Sequence, residues 1–155
     1  MNGITSGTSQ TTFSPNDSCT RAQMVTFLWH AAGDPTPKSS INPFKDVAKN
    51  SYYYKAVLWA VENSVTGGTS ATTFSPNETC TRAQAVTFLY NYAGKPTISD
   101  IDTPFKDIPN NAYYDTPVKW AIDFGVTSGT SATTFSPANN CTRGQIVTFL
   151  YNYLG

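Results

Sequence analysis

The sequence predicts an all-α, pseudo-threefold helical repeat with long Gly/Ser/Thr-rich loops, and three observations carry that reading. Thr12-Phe13-Ser14-Pro15 recurs as Thr73-Phe74-Ser75-Pro76 and as Thr134-Phe135-Ser136-Pro137, each step being 61 residues. Cys19-Thr20-Arg21-Ala22-Gln23 returns in the same register as Cys80-Thr81-Arg82-Ala83-Gln84 and as Cys141-Thr142-Arg143-Gly144-Gln145. A second block appears twice, with Pro43-Phe44-Lys45-Asp46 matching Pro104-Phe105-Lys106-Asp107 and Trp59-Ala60 matching Trp120-Ala121. The chain therefore reads as one domain over 1–155, made of a half repeat over 1–34 and full repeats over 41–94 and 102–155. One helix pair cannot bury its apolar face alone, whereas three related units stacked round a common axis can.

Each full repeat holds two helices. The first is expected from about Tyr54 to Ser64, with Val57, Ala60 and Val61 at helical spacing. Its counterpart carries Val118, Ala121 and Ile122, with Pro117 in the first turn, where a missing N–H costs little. The second helix is expected to start at the cap Thr81 and to place Val86, Leu89, Tyr90 and Ala93 on one face. Gly94 closes it in a left-handed conformation and Pro96 follows; Gly33 and Pro35 do the same in the first copy. Its start is the sharpest local signal. Thr81 is a preferred N-cap and Gln84, three residues on, completes a capping box, as do Thr20 with Gln23 and Thr142 with Gln145. No copy of the first helix precedes the helix ending at Gly33, so its Val25, Leu28 and Trp29 are expected to lack cover; a truncated or permuted domain is the favoured reading, with self-association second and a bare third groove as the remaining alternative.

Composition excludes several functions. Ten Lys and Arg balance ten Asp and Glu, with charged residues at 13%, so the clustered positive charge that nucleic-acid binding needs is missing. No segment reaches the roughly 18 consecutive apolar residues of a membrane span. Met1-Asn2-Gly3-Ile4-Thr5 has neither the charged nor the apolar region of a signal peptide, so an export signal is expected outside these residues. Neither a Cys–His nor a Ser–His–Asp arrangement recurs, so no enzyme, catalytic residue or cofactor is expected. His30 is the sole histidine and its repeat equivalents are Asn91 and Asn152, which reads as a solvated helix position.

The order Phe-Lys-Asp-Val, paired aromatics, Ala-Val-x-Trp-Ala-Val-Glu, Gly-x-x-x-Gly, Phe-x-Pro and Thr-Arg-Ala-Gln resembles the S-layer homology repeat over nearly the whole chain. The resemblance implies a three-pronged helical spindle on the bacterial cell wall, extracellular. Grooves between its repeats would bind secondary cell-wall polysaccharide, pyruvylated in the family, and so anchor an exported protein without a covalent bond. It also implies that Arg21, Arg82 and Arg143, the only arginines present, supply positive charge to those grooves. Each sits in a first helical turn, beside backbone N–H groups and the positive helix end, and as surface residues they are expected to matter little for stability. The competing reading has each Arg snorkelling, or pairing with an Asp to hold repeats together.

The same resemblance brings Gln23, Gln84, Gln145, Gly68 and Gly129 into the groove set, with departures from the family pattern. Gln replaces the motif's Glu, Tyr52-Tyr53 and Tyr113-Tyr114 replace a Trp-containing pair, and Gly68-Thr69 and Gly129-Thr130 replace Gly-Tyr. The alternative function is a structural, self-assembly or protein-interaction module without glycan binding.

Cys19, Cys80 and Cys141 admit three readings: buried fillers at the N′ position, a metal or disulfide site on the axis, or thiols activated by the helix end. Trp59 and Trp120 read as core residues or, alternatively, as sugar-stacking platforms. Trp29, Tyr90 and Tyr151 form one aromatic column, read as structural. Asp46 and Asp107 are expected to cap the turn before the first helix.

Overall fold

A computed structural model describes residues 3–99 and 101–155. The half repeat expected over 1–34 thus begins with two residues outside the described ones. Five helices form: α1 Arg21–Ala31, α2 Tyr54–Glu62, α3 Arg82–Tyr92, α4 Asp115–Asp123 and α5 Arg143–Leu154. Extended pairing among the described residues is confined to isolated bridges, so the chain is all-α with long loops, as the sequence predicts.

The three capping boxes are present as written. Thr20, Thr81 and Thr142 lie in extended conformation, and each accepts from the N–H of its own Gln23, Gln84 or Gln145. The Gln side chain accepts in return from the cap N–H, at 3.1, 3.2 and 3.0 Å. Each cap is worth about 1 kcal/mol. Gly33 and Gly94 follow α1 and α3 at φ +85, a value that suits glycine.

The helices meet at their N-termini around an axis built by the cysteines. Cys80 N–H donates to Cys19 C=O at 2.8 Å, Cys141 to Cys80 at 2.8 Å, and Cys19 to Cys141 at 2.9 Å, closing a three-membered backbone ring. All three side chains are fully buried free thiols beside Met24, Ala85 and Ile146 in one continuous core. The buried-filler reading accounts for them. Burial pushes Cys19 and Cys141 up to about 12 and Cys80 well above the ordinary thiol value, which opposes activation.

Helix pairing differs from expectation. α2 packs along α1 and α4 along α3, so each first-type helix covers the capped helix of the preceding copy. Val25 and Leu28 are therefore fully buried, and the helix without such cover is α5, where Tyr151 is 72% exposed. The expectation that α1 would be bare assumed pairing within a repeat. The capped helices are also wrapped on more than one face: α3 buries Arg82, Ala83, Ala85, Val86, Phe88 and Leu89. Trp59 and Trp120 are core residues, at 6% and 2% exposure, which removes the sugar-platform reading. Trp29 and Tyr90 hydrogen-bond the Pro35 and Pro96 carbonyls after their helices.

Asp46 and Asp107 act at longer range than a local turn. Asp46 accepts from the N–H groups of Phe74 and Ser75 at 2.8 and 2.7 Å, and Asp107 from Phe135 and Ser136 at 2.9 and 2.7 Å. Ser75 and Ser136 both lie at φ 58, a left-handed conformation that a non-glycine residue holds only when its surroundings fix it. The carboxylates reinforce that conformation there, while Ser14 holds φ 54 with no carboxylate on its N–H among the described residues.

Two outcomes follow. Asp46→Ala leaves two N–H groups without their acceptor and should cost about 1–3 kcal/mol in chemical denaturation. The cysteines should remain unlabelled by a thiol reagent at pH 8 until denaturant is added. From the ordinary thiol value of 9.0 up to about 12, the folded chain keeps protons that the unfolded chain releases. Stability is therefore retained below that window and lost as pH rises through it, and denaturation midpoints of the triple Cys→Ala variant should fall less steeply there.

Candidate functional site

The three arginines are not surface residues. Arg21, Arg82 and Arg143 are each 4% exposed. Arg21 lies between the Phe74 and Phe88 rings, its guanidinium carbon 5.1 and 5.2 Å from their centroids. Arg82 lies likewise between Phe135 and Phe149, and Arg143 between Phe13 and Phe27. Each Nε donates to a carbonyl of the next copy's loop: Phe74, Phe135 and Phe13, at 2.9, 2.8 and 2.9 Å. The planar guanidinium is therefore clamped on both faces and along one edge. The expectation that these residues matter little for stability is corrected by this burial.

The backbone argument for an anion site at the helix ends is also corrected. Arg21 and Ala22 N–H donate to the Glu78 and Pro76 carbonyls, Arg82 and Ala83 to Asn139 and Pro137, and Arg143 and Gly144 to Asp17 and Pro15. With the third N–H held by the capping Thr, the first turn has spent its donors on the neighbouring repeat. The positive charge at these helix starts is carried by the arginine side chains instead. Among the described residues the ion pairs are His30–Asp34 and Lys119–Asp115, and neither involves an arginine. Burial lowers the pKa of Arg21 and Arg82 from the ordinary guanidinium value, yet arginine stays cationic at neutral pH. Arg82 Nη2 is buried without a partner.

Two grooves open beside these side chains. One, of about 390 Å³, joins Arg21 to the loop Val65–Thr69, to Gln84, Thr87 and Asn91 of α3, and to Tyr113. The other, of about 370 Å³, joins Arg143 to Ile4–Thr8, to Gln23, Thr26 and His30 of α1, and to Tyr52. Apart from the arginine, which each groove takes from the preceding copy in the ring, they match position by position through the 61-residue step, with Ile4 for Val65, Ser6 for Gly67 and His30 for Asn91. Asn91 and Asn152 donate to the Val65 and Val126 carbonyls, lacing loop to helix, while His30 turns to Asp34. The corresponding set for Arg82 is Val126–Thr130 with Gln145, Phe149 and Asn152, with no tyrosine wall among the described residues.

The remaining sequence-stated site residues take partly structural places. Gln23 and Gln84 line grooves but spend Oε1 on the cap, leaving the amide NH₂ available; Gln145 is held the same way. Gly68 and Gly129 lie at φ +85 and +87, where a side chain would also strike the Phe44 or Phe105 ring. Gly68 lines the Arg21 groove. Tyr52 and Tyr113, 65% and 63% exposed, are groove walls that the sequence showed only as half of an aromatic pair. An aromatic face beside a fixed guanidinium and hydroxyl-rich loops can hold an anionic sugar: stacking on its apolar face, charge on its acid group, hydrogen bonds on its hydroxyls.

A family model described as the S-layer homology domain matches residues 1–25, 43–86 and 104–147. An endoglucanase of Bacillus sp. (strain KSM-635) is 38% identical over 120 residues, covering 76% of this chain and 12% of that protein. The surface-layer 125 kDa protein of Lysinibacillus sphaericus is 31% identical over 115 residues, covering 74% of this chain and 10% of that protein. A cellulosome-anchoring protein of Acetivibrio thermocellus is 25% identical over 145 residues, 89% of this chain and 32% of its own length. The chain thus spans a third or less of these relatives. With the repeat order, the capped helices and the family match in agreement, the chain belongs to the S-layer homology domain family.

Proposed function

We propose that this domain anchors a larger exported protein to the bacterial cell wall, non-catalytically, by binding an anionic wall polysaccharide in the grooves at Arg21 and Arg143. The observation that carries the reading is the state of the guanidinium groups. A buried charge is costly unless paired. Here each is stacked, fixed and without a carboxylate partner among the described residues, and two of them line open grooves. A pyruvyl ketal on an amino sugar has the right chemistry, a carboxylate for the arginine and a ring for Tyr52 or Tyr113. The surface-layer and cellulosome-anchoring names of the relatives support a place at the cell surface.

Sedimentation with purified wall polysaccharide, before and after mild-acid removal of pyruvate, tests this. The chain should bind the intact polymer and lose most binding to the stripped one. Tyr52→Ala with Tyr113→Ala should keep the thermal midpoint and weaken binding several-fold. Arg21→Ala should both destabilise, by about 2 kcal/mol, and lose a charge-assisted contact worth about 1.5–3 kcal/mol to the ligand. Equal binding by the folded tyrosine variant and indifference to pyruvate would instead support an interaction module.

A further inference from the structure

The Arg21 and Arg143 grooves share a glutamine, a threonine and a tyrosine wall, and they part at one linked pair of positions. Where the second copy has Asn91 and Lys95, the first has His30 and Asp34. Asn91 Nδ2 donates to the Val65 carbonyl at 3.0 Å and Asn152 Nδ2 to the Val126 carbonyl at 3.0 Å, so these amides are engaged in tying loop to helix. His30 makes no such tie to the loop Ile4–Thr8 among the described residues; its Nδ1 bonds the Asp34 carboxylate instead. Asp34 and Lys95 both stand at φ 55, so the backbone is shared and only the side chains differ.

This arrangement leaves Nε2 as the ring nitrogen open to a ligand. His30 lines the 370 Å³ groove together with Arg143 from the start of α5 and Tyr52 from the segment ahead of α2. These, with Asp34 beside the ring, are the charged or titratable groups that line the groove or bond His30, and the loop Ile4–Thr8 adds none. No carboxylate lines either groove among the described residues. With Nδ1–H donated to Asp34, a neutral His30 offers a lone pair at Nε2, which accepts from a sugar hydroxyl. Protonation turns the same atom into a charged donor suited to an oxyanion. Asn91, at that place in the other groove, has no second state.

We propose that His30 sets the specificity of the Arg143 groove: its protonated ring joins Arg143 as a second cation for the acidic group of a wall sugar. The Arg143 groove then holds anionic sugar more tightly in acid, while the Arg21 groove binds alike across the same range. The inference rests on the wall-polysaccharide reading and makes the two grooves unequal.

His30 is the sole histidine, so its ring signal in NMR reports this groove alone. The probe is purified wall polysaccharide at about pH 5.5 and about pH 8, on either side of the range in which histidine side chains change charge. Binding by the wild-type chain should weaken at least about threefold from the lower pH to the higher. His30→Asn installs the residue that the other two copies carry, so it should keep the thermal midpoint and bind alike at both pH values. Titration of the polymer itself is common to both proteins and drops out of the comparison. Burial raises Tyr52 above the ordinary tyrosine value, so it does not titrate here. Adding polymer should also shift the His30 ring signal and carry its pH midpoint upward, the reciprocal of tighter binding in acid. Polymer binding with the same pH response in both proteins would overturn the role of His30 and leave the wall-binding reading standing. So would binding that leaves the ring signal unmoved. Absence of binding by either protein at both pH values would overturn both.

Discussion

The structure depends on where three helices put their first N–H groups. An α-helix leaves its first-turn donors without intrahelical partners, and they must be satisfied somewhere. Here each capped helix gives them to the loop carbonyls of the next copy, and the cysteine backbones close the exchange into a ring. No copy can satisfy its own helix start without a neighbour, so the repeats are interdependent at the level of hydrogen bonding as well as of packing. The same expenditure leaves the helix ends without free donors and the side chains as the source of charge beside the grooves.

That makes arginine a choice with two consequences. Its flat guanidinium can be stacked by two rings and still present N–H groups at its edge, which an ammonium cannot do. Nε ties one copy to the next through a carbonyl, while Arg21 and Arg143 also line open grooves. Holding the charge rigid costs stability where it is unpaired, as at Arg82 Nη2, and lowers the ordering cost when an anion arrives. A residue so placed cannot be sorted into structural or functional. The structural reading placed each arginine between repeats, where the Nε bond holds it to a carbonyl and not to an aspartate.

What was legible in the sequence was local or periodic. Capping boxes, glycine stops and the core tryptophans depend on neighbours a few residues away, and all formed where expected. What was not legible crosses from one copy to another. A 61-residue self-match describes the contents of a unit but is silent on which neighbour each half packs against, because every register looks the same under the repeat. Hence the expected bare helix was α1 when it is α5. Hence also Asp46 was read as a local cap, although its partners lie 28 and 29 residues on. Tyr52 and Tyr113 escaped as groove walls for the same reason: each meets an arginine from a different copy.

That crossing also decides what binding does to the fold. The Arg21 groove takes its charge from the first copy, its loop and helix wall from the second, and Tyr113 from the segment that opens the third. A ligand lodged there touches three successive units at once, and the Arg143 groove closes the ring from the other side with Tyr52. Such a ligand binds only when the units are docked, so by linkage it stabilises the docked arrangement by RT ln(1 + [L]/Kd), about 2.7 kcal/mol at a hundredfold excess over Kd. A polymer with many such residues, held in two grooves of one domain, adds the effective concentration of its second site to that gain. On the proposed function, attachment and folding would reinforce each other, because a bound wall polymer would tighten the interface between repeats that a pull on the anchored protein loads.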